Sequence, residues 1–206
     1  MLRLFHKVLE KPLYFNTITR VFAIGGREKR INESVSGLFN KECMGEVLEI
    51  GSGTGQFSYY YLKHLGTYTA TDINLDYLRY SKKKVGTIKY VTCDSSMLPF
   101  SSQSFDRVFA LFMFHHLSGK MSLSSLREMK RCLKKHGKIV IIDPFVPENR
   151  MDFVGRLLAK MDRGRWIRKR GDFCRLLKHA GLRIDAEMKM NGSWPYNMWT
   201  YILSWA

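Results

Sequence analysis

Gly51, Gly53 and Gly55 stand at alternate positions directly after the apolar run that ends in Glu49-Ile50. A turn of this composition lets a ligand approach the main chain, because the side chains that would block it are missing. A helix beginning just beyond it presents unpaired N–H donors. Asp72 closes the next apolar run, twenty-one residues after Gly51. From that position a carboxylate can accept hydrogen bonds from both hydroxyls of a ribose, so an adenosine-type ligand is implied. The dinucleotide fingerprint reads GxGxxG or GxGxxA. Here the spacing is GxGxG and Gln56 fills the third slot, which favours a ligand without pyrophosphate.

Further groups with chemical potential lie downstream. His115 and His116, in Phe112-Met113-Phe114-His115-His116-Leu117, follow the fourth strand candidate, where a general base would meet a bound acceptor. They serve equally well to shape the loop, and both readings stand. Arg165 and Arg168, in the basic stretch from Asp162 to Arg170, have the planar fork that clamps phosphate or carboxylate; a solvated basic turn is the alternative. No His, Asp, Glu or Cys cluster has metal-ligand spacing, so no metal is expected.

These residues need elements to position them. Short apolar runs bounded by glycine or polar residues alternate with helical segments from Glu46 onward, the pattern of βαβ units. The strands are predicted over Glu46 to Ile50, Tyr68 to Thr71, Ile88 to Thr92, Phe105 to Phe112 and Lys138 to Asp143. Helices are predicted over Gln56 to Leu65, Leu75 to Lys84 and Leu123 to Lys134, the last closed by Lys-Lys-His-Gly as a basic terminus with a glycine stop. Val47 to Ile50 and Ile139 to Ile142 are continuous apolar runs, as in central strands of a parallel sheet covered on both faces. Beyond Asp143 come helical stretches over Met151 to Met161 and Asp172 to Ala180. Strands over Arg183 to Met190 and Met198 to Ser204 then flank Asn191 to Pro195.

The run from Glu49 through Gly55 resembles the first motif of the class I, Rossmann-like S-adenosylmethionine-dependent methyltransferases, an acidic residue followed by GxGxG. Asp72 matches the acidic residue of their second strand. Cys93-Asp94-Ser95-Ser96-Met97-Leu98-Pro99-Phe100, followed by Ser104-Phe105-Asp106-Arg107-Val108, resembles a phrase of many small-molecule members, the type 11 group.

The resemblance covers about residues 45 to 145. It implies an α/β fold with a doubly wound, seven-stranded, mostly parallel sheet, an antiparallel C-terminal strand and an N-terminal helical lid. It also implies a single domain over 1–206, with the lid over 1–40, the cofactor-binding core over 45–145, and acceptor-side helices and the final strand pair over 146–206. The implied cofactor is S-adenosyl-L-methionine, leaving as S-adenosyl-L-homocysteine. Its binding set would be Glu49, Gly51, Ser52, Gly53, Gly55, Asp72, Ile73, Asp94, Ser95, Met97, Leu111 and Phe112. Asp94 would accept from the adenine amino group, while Ile73 and Met97 pack on the ring. Tyr14 in the lid is a further candidate for the acceptor pocket, beside Arg165 and Arg168.

Composition bounds the rest. The 206 residues, 45% hydrophobic and 25% charged, suit one folded domain. No apolar run reaches the roughly 20 residues of a membrane span, and the leader lacks a secretory pattern, so a cytoplasmic protein is expected. Four cysteines without a CxxC pair are read as reduced thiols. The net charge of +16 is uneven: Asn32 to Gly119 is balanced, whereas 1–31, Lys120 to Lys138 and Arg150 to Lys189 carry the excess. An anionic partner is suggested. The leader alternates Leu2, Phe5, Leu9, Tyr14 and Phe22 with basic residues, as a lid or as a helix at a membrane interface. The expected acceptor is a small or lipid-linked molecule, anionic in one reading, with peripheral membrane contact a further expectation. RNA or protein methylation and a non-catalytic scaffold are the alternatives. FMFHHL stands where planar-nitrogen methyltransferases carry Asn/Asp-Pro-Pro-Tyr/Phe, and no RNA-binding module is attached.

Overall fold

A computed structural model describes residues 45–55, 67–86, 88–149, 152–161, 165–190 and 197–206. The N-terminal lid with Tyr14, the helix expected over Gln56 to Leu65 and the turn from Asn191 to Pro195 lie outside the described residues.

The strands are β1 (Val47–Ile50), β2 (Tyr68–Asp72), β3 (Lys89–Thr92), β4 (Phe105–Leu111), β5 (Leu133–Phe145), β6 (Leu182–Lys189) and β7 (Asn197–Trp205). Among the described residues the helices are α1 (Leu75–Lys84), α2 (Gly119–Cys132), α3 (Phe153–Met161) and α4 (Arg170–His179), with a 3-10 turn at Phe114–His116. All seven strands form one sheet in the order β3-β2-β1-β4-β5-β7-β6. β1 through β5 run parallel, and β7 lies antiparallel to both β5 and β6. The doubly wound, mostly parallel sheet expected from the sequence is therefore present, closed by an antiparallel C-terminal strand.

Burial follows position in the sheet. β1 is buried at every residue, as is β5 from Ile139 to Phe145. The edge strands β3 and β6 keep exposed charged residues, which discourage further strand addition. Alternate side chains sort to two faces. Leu48, Ile50, Val108, Ala110, Ile139 and Ile141 pack with Leu126 and Met129 of α2 and with Phe173 and Leu177 of α4. Val47, Phe109, Leu111, Val140 and Ile142 face the other way.

One expected boundary is corrected. Helix α2 ends at Cys132 and the chain enters β5 at Leu133, so Lys134 to Gly137 are strand rather than a helix terminus. Leu133 pairs with Phe105, and the register slips before Arg107 pairs with Lys138. Gly137 marks the irregularity: a Cβ there would lie 2.8 Å from the carbonyl oxygen of Asp106. Pairing with β4 thus overrides the local helix-ending pattern.

Strand order reverses between β1 and β4, since β2 and β3 lie to one side and β5, β7 and β6 to the other. Open α/β sheets bind ligands at the carboxyl ends of the strands beside such a reversal. The turn after β1 and the turn after β4 flank that point.

Candidate active site at the carboxyl edge of the sheet

The glycine turn is held from both sides. Ser52 N donates to the Thr71 carbonyl at 2.9 Å and Gly53 N donates to Asp72 Oδ2 at 2.8 Å. The other carboxylate oxygen, Asp72 Oδ1, accepts from Asn74 N at 2.8 Å. Asn74 in turn caps α1, its side chain accepting from Asp76 N and Tyr77 N. Asp72 therefore joins two strand tips and a helix start. Burial pushes its carboxyl above the ordinary carboxylate range, against the pull of these backbone donors. Glu49 is buried beneath the turn, and its Oε2 accepts from the Tyr68 hydroxyl at 2.7 Å.

Gly51, Gly53 and Gly55 all have positive φ, the left-handed region that glycine occupies without strain. Their surroundings differ. A Cβ on Gly53 would meet no described residue within 4 Å. A Cβ on Gly55 would lie 2.1 Å from Ser81 Oγ, and Ser81 is buried in α1.

Asp94 folds onto its own turn, with Oδ1 accepting from Ser96 N at 2.8 Å and Ser96 Oγ at 2.7 Å. Those donors hold its carboxyl below the ordinary range, so it stays an acceptor at neutral pH. Ser95 Oγ contacts Ser125 Oγ on α2 at 2.7 Å. Two residues of α2 secure the following loop: Glu128 accepts from Leu98 N, and Arg131 donates to the carbonyls of Leu98 and Phe100. The apolar side chains of Ile73 and Met97 are 71% and 77% exposed. Exposed apolar side chains of this size, one close after each acidic strand tip, suit walls for a flat ring.

After β4 the chain turns sharply. Phe112 adopts φ of 57°, a left-handed conformation uncommon for a bulky residue, and its N–H still bonds to the Ile142 carbonyl at 2.8 Å. Leu111 is buried at the end of β4. The 3-10 turn that follows separates the two histidines: His115 is buried and His116 exposed, with ring centroids 3.9 Å apart. His115 Nδ1 lies 2.9 Å from Oδ1 of Asp143, itself buried near the end of β5. Burial raises the Asp143 carboxyl, while His115 and, more distantly, Arg168 draw it down.

Arg168 does not extend into solvent. Its guanidinium donates to Ser122 Oγ at 2.8 Å and to the carbonyls of Phe114 and Leu117, above the Phe173 ring. It braces the histidine turn from behind. Arg165 is exposed, and the adjacent Trp166 N–H donates to the His115 carbonyl at 3.0 Å. The structure thus gathers Glu49, the glycine turn, Asp72, Asp94 and His115 at one edge of the sheet and separates Arg165 from Arg168. Asp143 and Tyr68 are the members of the site that sequence reasoning did not single out.

Residues 48–141 match the family model described as a methyltransferase domain. That stretch, a little under half of the chain, holds the glycine turn, Asp72, Asp94 and His115 and is similar to methyltransferase domains. Among sequences, it is 27% identical over 161 residues to a demethylmenaquinone methyltransferase of Thermotoga maritima, across 77% of this chain and 67% of that protein. It is 33% identical over 105 residues to the ubiquinone/menaquinone biosynthesis C-methyltransferase UbiE of Bordetella parapertussis, across 48% of this chain and 40% of that protein. The chain thus spans less than half the length of that UbiE relative. Among solved structures, a SAM-dependent methyltransferase from Aquifex aeolicus superposes with a TM-score of 0.71 at 22% identity, over 91% of this chain and 97% of that one. An S-adenosylmethionine-dependent methyltransferase from Clostridium acetobutylicum gives 0.71 at 12% identity, over 93% and 99%. At these identities the structures establish the fold.

The cofactor of the methyltransferase domain is S-adenosylmethionine, and the described residues fit it. A Cβ on Gly53 would touch no described residue, Asp72 and Asp94 present carboxylates at successive strand tips, and Ile73 and Met97 stand exposed beside them. Buried Ser52 Oγ has no hydrogen-bond partner among the described residues, as expected where a polar ligand completes the site.

The two glycines should separate binding from folding. Gly53→Ala is expected to cost stability only about 1–2 kcal/mol, for the left-handed backbone, yet to weaken cofactor binding strongly. Gly55→Ala adds a collision with Ser81 and should destabilise the methyltransferase domain by about 3 kcal/mol. Thermal melts paired with calorimetric titration of the cofactor check both; equal melting temperatures for the two variants would contradict this assignment.

Proposed function

We propose that the protein transfers a methyl group from S-adenosylmethionine to a small, lipid-linked acceptor, with His115 taking up the proton the acceptor loses. The observation that carries this reading is the buried His115–Asp143 pair, 2.9 Å apart at the sheet edge that also holds the glycine turn. When bound, the cofactor supplies a methyl group on an already activated sulfonium, so the protein's work is alignment and exclusion of water. Glu49, Ser52, the glycine turn, Asp72 and Asp94 hold the adenosyl end, with Ile73, Met97, Leu111 and Phe112 as apolar walls. Asp143 fixes the ring of His115, accepting from Nδ1 so that Nε2 is the basic nitrogen. Arg168, fastened to the Phe114 and Leu117 carbonyls, keeps the turn in place and acts as a positioning residue. Arg165, exposed beside it, is the candidate for meeting an anionic group on the acceptor.

The names of the sequence relatives support an acceptor in the class of quinone precursors, in which loss of a hydroxyl proton makes a ring carbon nucleophilic. The reading is tested with methyl-labelled cofactor and cell extract, split into lipid, small-molecule, RNA and protein fractions. Label is expected in the lipid or small-molecule fraction and should disappear with Asp72→Ala. Label confined to RNA or protein would overturn it.

A further inference from the structure

Between Val146 and Arg168 the chain makes an excursion from the carboxyl end of β5, and its base is pinned shut. Val146 N donates to the Arg168 carbonyl at 3.0 Å, Trp166 N donates to the His115 carbonyl, and Arg170 pairs with Glu148 at 3.0 Å. The excursion therefore stands on the same edge of the sheet as the site. Among the described side chains the inward side of α3 is accounted for: Gly155 is buried, Asp152 caps the start of α3 by accepting from Gly155 N, and Arg156 folds back to the Pro147 carbonyl.

Its outward side is not. Phe153 is 69% exposed and Leu157 57% exposed, one helical turn apart and therefore on one face of α3, with exposed Val154 beside them. Trp166, in the turn that returns toward the site, is 49% exposed. In sequence, residues 146–170 contain eight arginines and lysines against three acidic residues, and of these Arg168 folds inward and Arg170 is paired with Glu148 and Glu187. Among the described residues, exposed Arg165 and Lys169 enter no ion pair.

We propose that the outward face of α3, with the Trp166 turn, docks onto an anionic lipid bilayer. Aliphatic and aromatic side chains seat in the headgroup boundary, tryptophan suits that depth, and each nearby lysine or arginine adds attraction to acidic lipid. The aliphatic pair Val154 and Leu157 has no use at a nucleic acid, where aromatic stacking and phosphate contacts dominate. No helix among the described residues is long and apolar enough to cross a membrane, and the contact proposed is one of side chains with the headgroup boundary. The consequence for function rests on the proposed lipid-linked acceptor: docking there would hold the carboxyl edge of the sheet near the layer in which that acceptor is dissolved. The contact itself does not depend on that reading.

The test is co-sedimentation of the full chain with vesicles of phosphatidylcholine alone or with a quarter phosphatidylglycerol. Binding is expected to the acidic vesicles, weakening several-fold between low and high salt, with little binding to neutral ones. Phe153→Ser/Leu157→Ser should reduce partitioning about tenfold or more without changing the melting temperature or cofactor affinity, because both side chains already face solvent. Lys169→Glu should weaken binding several-fold at low salt only. As a control, Lys82→Gln/Lys83→Gln/Lys84→Gln on α1 should bind as the parent protein does. The proposal is overturned if acidic vesicles do not bind, if the α3 variant partitions normally, or if the α1 variant loses as much. Competition by single-stranded RNA that the α3 variant resists equally would also overturn it, in favour of a nucleic-acid surface. Failure of the parent protein to bind the cofactor would instead strike the methyltransferase reading and leave the vesicle result standing.

Discussion

Asp72→Ala is expected to weaken S-adenosylmethionine binding at least ~100-fold, the loss of two hydrogen bonds to a charged acceptor at about 1.5–3 kcal/mol each. Calorimetric titration reads this directly. The same change strips Gly53 N and Asn74 N of their acceptor, so the glycine turn and the start of α1 should loosen together. Asp72→Asn keeps one oxygen and serves as the milder comparison. Its binding should fall less than that of the alanine variant, and its melting temperature should stay nearer that of the parent.

The pH dependence follows from the same residue. Burial raises the Asp72 carboxyl above its ordinary value. Hydroxyl donors favour the ionised form, so cofactor affinity is full at higher pH and declines as pH falls through the raised value. The decline should therefore begin above the range in which an exposed carboxylate titrates. In Asp72→Asn that limb should vanish. An unchanged limb in the variant would assign it to another group.

His115→Ala should lower kcat by about 10²–10⁴, the usual contribution of a positioned base, while cofactor affinity stays within a few-fold of the parent. Asp143 acts through His115, so its replacement separates positioning from chemistry. Asp143→Ala leaves a buried histidine without its partner and should destabilise the domain by about 3 kcal/mol or more. Asp143→Asn keeps the volume, but its amide can donate to Nδ1 as readily as accept from it, so the ring's tautomer is no longer fixed and kcat should fall while cofactor affinity holds. If kcat were unchanged in both His115→Ala and Asp143→Asn, the pair would be a structural brace and the base would lie elsewhere.

Much of this site could be read before any coordinates. An apolar run, three alternate glycines, then a carboxylate at the end of the next run is a pattern whose spacing is dictated by a strand, a turn and a crossover, so the place of Asp72 beside Gly53 was legible. Asp143 carried the same kind of signal, a lone acidic residue near the end of an apolar strand. Its role was hidden because its partner lies 28 residues away and nothing in the chain says that the two turns meet. Arg165 and Arg168 were indistinguishable in a basic loop. Only packing shows that one folds onto the Phe114 and Leu117 carbonyls while the other stays in solvent. The start of β5 was misjudged because Lys134 to Gly137 carries a helix-ending composition. Pairing of Leu133 with Phe105 outweighs that local preference.

The insertion of β7 between β5 and β6 has a bearing on how the chain folds. β6 is made first but touches the rest of the sheet only through β7. Until the later strand docks against Ile139 to Phe145, the earlier one has no neighbour to bond with and exposes its main-chain donors and acceptors. Such a late, non-local closure is slow relative to helix formation. During that interval a half-assembled sheet offers an open margin to other copies, so refolding yield should fall steeply as protein concentration rises.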